Sequence, residues 1–325
     1  MKPRLVFASA VAAGIAVAAG VAHRLRSVPD WPEPPGDVTT VRGESLHHLS
    51  SAEGAGPTVV FESALSCPCT EWAWVIRELD GHLPYLAYDR PGNGWSSAHN
   101  PPRTAAEHAE LLHDLLVARG LPGPYVLVGH SVGGLLVRVF ADRYPGDVAG
   151  LVLVDSSHPD QLERSALQRE GMPLVQQSIW TTYWRSRLGL PRPDDGFGAL
   201  SDLPEELVDP SMRVMRRPEP WKAAGREFAD WYTRWNDETR ATTLGPELPV
   251  AVVTAGAQSS MDGAHARMQE ELAQLTTVGH HDVVVGAQHD ALVMRPEPAA
   301  RITRAVDWVV RRHHATARQF SGRKG

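Results

Sequence analysis

The sequence predicts an α/β protein, an eight-stranded and mostly parallel sheet with helices on both faces, and three observations carry that expectation. From Val38 to Arg312, short apolar runs alternate with longer stretches of helical periodicity, the pattern of strands joined by crossover helices. The run Tyr125–Gly129 leads straight into the helical pattern Val132–Tyr144, so at least one strand turns directly into a helix. After Val154, about ninety residues pass before the next apolar run, too long for an ordinary connection, which predicts an inserted subregion.

Taken in order, residues 1–26 begin with Lys2 and Arg4 and continue with the uncharged, Ala- and Val-rich run from Leu5 to Ala22, closed by His23, Arg24 and Arg26. A run of this length and composition predicts export, either through cleavage after the small residues Gly20-Val21-Ala22 or as a tether through residues 5–22. The choice between a signal peptide and a membrane anchor stays open. Residues 27–37 carry Pro29, Pro32, Pro34 and Pro35, an extended, semi-rigid linker. Folding is expected to begin near Val38.

The predicted strands are Val38–Val41, Ser45–Leu49, Thr58–Glu62, Tyr85–Asp89, Tyr125–Gly129, Gly150–Val154, Val250–Thr254 and Asp282–Val285. Helical patterns fall at Glu71–Leu79, Thr104–Arg119, Val132–Tyr144, Gly263–Leu275 and Pro298–Arg312. The insertion, about 156–245, holds Trp180, Trp184, Trp221, Trp231 and Trp235, half of the ten tryptophans, and looks helical at Ser178–Leu188 and Trp221–Arg240. It is expected to form a helical cap after strand 6, its aromatics serving its own core or lining an apolar pocket. Residues 313–325 form a basic tail.

Both chain ends are basic, so the body from 27 to 310 holds 23 cations against 38 anions. A surface that acidic repels a polyanion, and nucleic-acid binding is excluded as a leading function. The remaining composition, 42% hydrophobic and 22% charged over 325 residues, is that of a globular chain with a full core.

Chemistry concentrates at Gly129-His130-Ser131-Val132-Gly133-Gly134. A serine on a sharp strand-to-helix turn needs neighbours two positions away with almost no side chain, which the glycines supply. Its hydroxyl then stands exposed at the helix amino end, where the Val132 amide can donate to a developing oxyanion.

With this elbow, the stretch Tyr88-Asp89-Arg90-Pro91-Gly92-Asn93-Gly94-Trp95-Ser96, and Gly286-Ala287-Gln288-His289-Asp290 after the last strand, the chain resembles the α/β-hydrolase superfamily over about residues 38–312. The resemblance implies an α/β-hydrolase fold, Ser131 as nucleophile and His289 as its base. For the acid that orients the imidazole, two carboxylates qualify. Asp155 ends the sixth strand, at a spacing that matches the haloalkane dehalogenases of the superfamily. Asp262 follows the seventh strand late and stands where a helix N-cap is expected. Asp155 is favoured.

A second oxyanion donor is implied in the loop after the third strand, most simply the Leu65 amide, although Ser63-Ala64 replaces the frequent His-Gly pair. The loop also holds Cys67-Pro68-Cys69; a disulfide there would stiffen it, and two free thiols are the alternative. Taken together, the resemblance implies a serine hydrolase acting on an ester, thioester or related acyl bond of a small, apolar substrate. A non-catalytic ligand-binding or sensor protein on the same fold is the alternative, and haloperoxidase- or acyltransferase-like activity stays open. Gly92-Asn93-Gly94 lacks the rest of a dinucleotide fingerprint, and adjacent histidines on extended chain point to opposite faces, so neither a nucleotide cofactor nor a metal is implied.

Overall fold

The computed structural model describes residues 32–190 and 198–322. Among them, eight strands form one sheet: β1 (Asp37–Val41), β2 (Glu44–Ser51), β3 (Thr58–Glu62), β4 (Tyr85–Tyr88), β5 (Tyr125–His130), β6 (Val148–Val154), β7 (Val250–Ala255) and β8 (Gly279–Val284). Their order is β1-β2-β4-β3-β5-β6-β7-β8. β2 lies antiparallel to β1 and β4, and every other pair is parallel.

Helices α1 (Ala73–Leu79), α2 (Ala105–Ala118) and α3 (Gly133–Arg143) follow β3, β4 and β5. Between β6 and β7 stand α4 (Gln161–Arg164), α5 (Ala166–Arg187), α6 (Glu205–Met215), α7 (Pro218–Asp230) and α8 (Asn236–Arg240). The chain then gives α9 (Gly256–Met261), α10 (Gly263–Leu272), α11 (Ala291–Met294) and α12 (Pro296–Gly322). Local signals place several ends: the Thr104 side chain accepts from the Glu107 amide and the Glu107 carboxylate reaches back to Thr104, a capping box that starts α2.

β3, β5, β6 and β7 are buried at every position, because both faces of a parallel sheet are covered. Alternate residues divide between two cores. Val59, Phe61, Val126 and Val128 pack on one side with Trp72, Val306 and Val309. Val60, Leu86, Leu127 and Leu151 pack on the other with Leu112, Leu115 and Phe140.

β3 lies between β4 and β5, so the chain leaves β3 toward one edge and later returns to build toward the other. At such a reversal the connections at the strands' carboxyl ends diverge and leave a crevice. Register pairs Glu62 with Gly129 and His130 with Val154, bringing the loops after β3, β5 and β6 to one level at that crevice.

Several expectations shift. His280 and His281 lie inside β8 rather than ahead of it, because this edge strand is half exposed and lacks the apolar run that marks the others. α5 begins at Ala166, twelve residues before the expected Ser178, and runs through Pro173. The expected helix 221–240 is interrupted by a π-helical turn at Trp231–Trp235. α12 passes the expected end at Arg312 and reaches Gly322, taking in most of the basic tail. The described end of the linker packs on the body: the Pro32 carbonyl accepts from Trp95 Nε1 at 2.9 Å, and the Pro35 carbonyl contacts His47 Nε2. The apolar run 5–22 lies outside the described residues. Among those described, no helix is long and apolar enough to cross a membrane.

Candidate active site

Ser131 leaves β5 at φ +54°, a left-handed conformation costing a non-glycine residue about 1–3 kcal/mol. The surroundings hold it there: its amide donates to the Val154 carbonyl at 3.1 Å, and its carbonyl accepts from the Ser157 amide at 2.9 Å. A Cβ on Gly129 would lie 2.7 Å from the Gly133 oxygen, and one on Gly133 would collide with the Glu62 carbonyl. Both glycines are therefore required for the turn to close against β3. Ser131 opens into a cavity of about 680 Å³ whose lining includes Leu65, Val132, Asp155, His265 and His289.

His289, on the loop after β8, places Nδ1 2.6 Å from Asp155 Oδ2. Asp155 follows β6 at φ +38° and is 2% exposed. Its amide donates to the Val253 carbonyl at 2.7 Å, and its Oδ1 accepts from the Ala255 amide at 2.9 Å. His265 Nε2 stands 3.0 Å from the same Oδ1. Burial by itself would raise the Asp155 carboxyl, but hydrogen bonds from His265 and His289 hold it below the usual carboxylate range. Burial likewise works against a charged His289, yet the Asp155 hydrogen bond and charge, with Asp290 and Glu71, lift it to about 9. Among the described residues no hydrogen bond joins Ser131 to His289, although both line the cavity; in ligand-free sites such contacts are often long and tighten on binding.

Of the two carboxylates the sequence offers, Asp155 stands beside His289. Asp262 caps α10, accepting from the Ala264 and His265 amides at 3.0 and 3.2 Å and from Ser165 Oγ at 2.6 Å.

The loop after β3 is fixed from two sides. Arg90, 2% exposed, donates to the Ser63 and Ala64 carbonyls at 2.6 and 3.0 Å. The Ala64 amide donates to Glu71 Oε1 at 2.9 Å. Leu65 and Val132 both line the cavity, and among the described residues neither amide donates to a backbone or side-chain acceptor. The left-handed residue of the loop is Ser66, at φ +57°, so alanine at position 64 costs no such strain. Arg90 also donates through Nη1 to Glu62 at 2.8 Å and, through Nε and Nη2, to Glu227 of α7 at 3.0 and 2.8 Å. One guanidinium thus joins the sheet, the loop after β3 and the inserted helices.

Cys67 and Cys69 are free thiols. Burial, reinforced by Glu71, pushes Cys67 well above the ordinary thiol range, which keeps it protonated and a poor nucleophile. Cys69 Sγ lies 3.6 Å from His47 Nδ1. His47, Cys69 and Asp89 bring one ligand-type atom each within 4.8 Å of one another, but the donor set does not fit a metal. His47 Nδ1 meets Asp89 Oδ2 at 2.7 Å and Nε2 meets the Pro35 carbonyl. Two acceptors on one ring require both nitrogens to carry protons, leaving no lone pair. The cluster is a buried imidazolium–carboxylate pair, further tied by the Cys69 and Trp95 amides on Asp89 at 2.7 and 2.9 Å.

Sequence reasoning missed His265, Glu71 and Glu227. The only signal for His265 was its place three residues past the Asp262 cap, on the first turn of a helix packed beside β7. For Glu71 and Glu227 there was none: their partners are Ala64 and Arg90, and only the folded chain brings them together.

Strand order, elbow and a histidine after the last strand define a protein of the α/β-hydrolase fold. A family model described as alpha/beta hydrolase fold matches residues 61–177. An uncharacterized protein of Schizosaccharomyces pombe is 28% identical over 64% of this chain and 39% of its own length. Lipase 1 of Psychrobacter immobilis is 30% identical over 43% of this chain and 46% of its own. A candidate lipase of Acinetobacter baumannii superposes with a TM-score of 0.68 at 16% identity, covering 91% of this chain and 97% of that one. The chain has the α/β-hydrolase fold, and the family model matches it over the segment from β3 into the inserted helices. The chain spans less than half the length of these curated relatives.

Proposed function

We propose that the chain is a serine hydrolase that cleaves an ester, thioester or related acyl bond. One observation carries this reading: a serine held at positive φ and a histidine held by a buried aspartate open into the same cavity. Ser131 Oγ attacks the substrate carbonyl as His289 Nε2 takes its proton. The Leu65 and Val132 amides receive the negative oxygen, and the His289 proton passes to the leaving group. Water then repeats the sequence on the acyl-enzyme, releasing the acid and restoring the Ser131 hydroxyl. Asp155 keeps His289 in the tautomer with a bare Nε2 and stabilises the imidazolium formed in each half.

The cavity wall supports an uncharged acyl group. Leu65, Met172, Val175, Ile179, Trp221 and Trp231 line it, with no lysine or arginine among the lining residues. The test is a fluorophosphonate probe followed by a panel of chromogenic esters of graded chain length. Labelling and turnover of the wild type, both lost in Ser131→Ala, are expected. A folded wild-type protein that takes no label sinks the reading and favours a ligand-binding role.

A further inference from the structure

The carboxylate that holds His289 also holds a second histidine, and the cap determines what that histidine can do. Gln168, on α5, places its Nε2 3.3 Å from Asp262 Oδ2 and 3.3 Å from His265 Nδ1. A carboxylate accepts only, so the atom facing Asp262 must be the amide nitrogen, and its other hydrogen points at His265 Nδ1. Nδ1 is therefore bare, and the proton sits on Nε2, aimed at Asp155 Oδ1 3.0 Å away. Asp262, which the sequence offers as a rival acid, thus acts at the head of the chain: it also receives the His265 amide at 3.2 Å and so seats the ring.

Resting on the hydrolase reading above, we propose that His265 is a positioning residue that, set by Gln168 of the cap, donates through Nε2 to Asp155 and tunes the basicity of His289. It is not itself a base, because both ring nitrogens are committed. The direction of its effect follows from charge. Asp155 Oδ1 takes two donors, His265 and the Ala255 amide, while Oδ2 takes His289. Each donor spreads the carboxylate's negative charge and weakens its hold on the His289 proton. Without His265, the Ala255 amide still orients Asp155, and the more concentrated charge holds that proton more tightly. The other groups facing His289 stay in place: Asp290 beside it in the chain, Glu71 before α1, and the His130 ring, 4.6 Å away between centroids.

The experiment is nitrogen-resolved NMR titration of the histidines in the full chain, in the wild type, His265→Leu and His265→Gln; glutamine carries an amide hydrogen near the position of Nε2. The wild type is expected to show His265 protonated on Nε2 and bare on Nδ1. In His265→Leu the His289 midpoint should rise by up to about one unit, a loss of up to roughly tenfold in its neutral form at neutral pH. His265→Gln should keep the wild-type midpoint. A wild-type His265 protonated on Nδ1 overturns the proposal, whether or not the leucine variant folds. So does a folded leucine variant whose His289 midpoint is unmoved or lowered, or a glutamine variant that behaves like leucine. Fluorophosphonate labelling of the wild type runs alongside: its absence counts against the hydrolase reading, whereas the titration reads the coupling between the two histidines without any turnover.

Discussion

Asp155 and His289 meet at 2.6 Å, and the charges each induces on the other set how the protein should respond to pH. In the proposed reaction His289 must be neutral to take the Ser131 proton, and it is lifted to about 9. Probe labelling of Ser131 should therefore speed up with rising pH, with a midpoint above the ordinary histidine value of about 6.5 and toward 9. A midpoint at or below that ordinary value would contradict the pairing. Asp155→Asn removes the charge, so the midpoint should fall, and turnover should drop by about 10⁴-fold through loss of tautomer control. Stability carries the same sign. A raised histidine adds stability that is complete below its unfolded value of about 6.5 and fades as pH climbs through about 9, whereas Asp155's share is lost only in acid. Urea midpoints measured from pH 6 to 10 should decline in the wild type and decline less in Asp155→Asn. That Ser131 and His289 would stand at one cavity was legible in the sequence, because the strand-to-helix elbow and the loop after the last strand mark their positions along the chain. Asp155 and Asp262 were harder to separate, because each sits near the carboxyl end of a strand. The sequence already offered Asp262 as a helix cap, and the fold adds that Asp155 is the carboxylate that reaches His289.

Among elements, the loop after β3 depends on distant partners. Arg90 holds the Ser63 and Ala64 carbonyls while bound to Glu62 and Glu227, all buried. Arg90→Met would leave two buried carboxylates facing each other without a cation, and should cost about 3–5 kcal/mol in urea unfolding. Glu227→Gln keeps an acceptor for Arg90 and should cost less; if the two variants lose equal stability, the buried charge is not what holds the loop. The same contrast explains which elements the sequence reveals. β3, β5, β6 and β7 are covered on both faces and read as apolar runs. β8, an edge strand containing His280 and His281, is half exposed and was placed three residues late. α5 buries only Ile179, so its amino-terminal half carries no apolar stripe from which periodicity could find it. The interruption at Trp231–Trp235 leaves no mark, because Trp235 is buried as it would be in a regular helix.

Across the whole molecule, the crevice at the β3–β5 reversal gathers residues from four separated loops, and the inserted helices roof it. Ser131 and Asp155 come from the sheet's centre and His289 from its edge, while Met172 and Ile179 come from α5 and Trp221 from α7. On the proposed reading the sheet supplies the reacting groups and the insertion the space above them, so a change in the roof should alter selectivity without disabling the serine. Met172 is the suitable position: it lines the cavity, is only partly buried, and has a flexible side chain whose replacement disturbs little packing. Met172→Trp should narrow the cavity, so that kcat/KM falls tenfold or more for long-chain esters, on the order of the 1–3 kcal/mol that overpacking costs. Acetate esters and a fluorophosphonate with a short alkyl chain should react at close to wild-type rates, since a group of one or two carbons is too small to need the space that Met172 borders. A uniform loss across all chain lengths, with the probe rate falling in parallel, would mean that the roof governs the reacting groups themselves, and the division between sheet and insertion would fail.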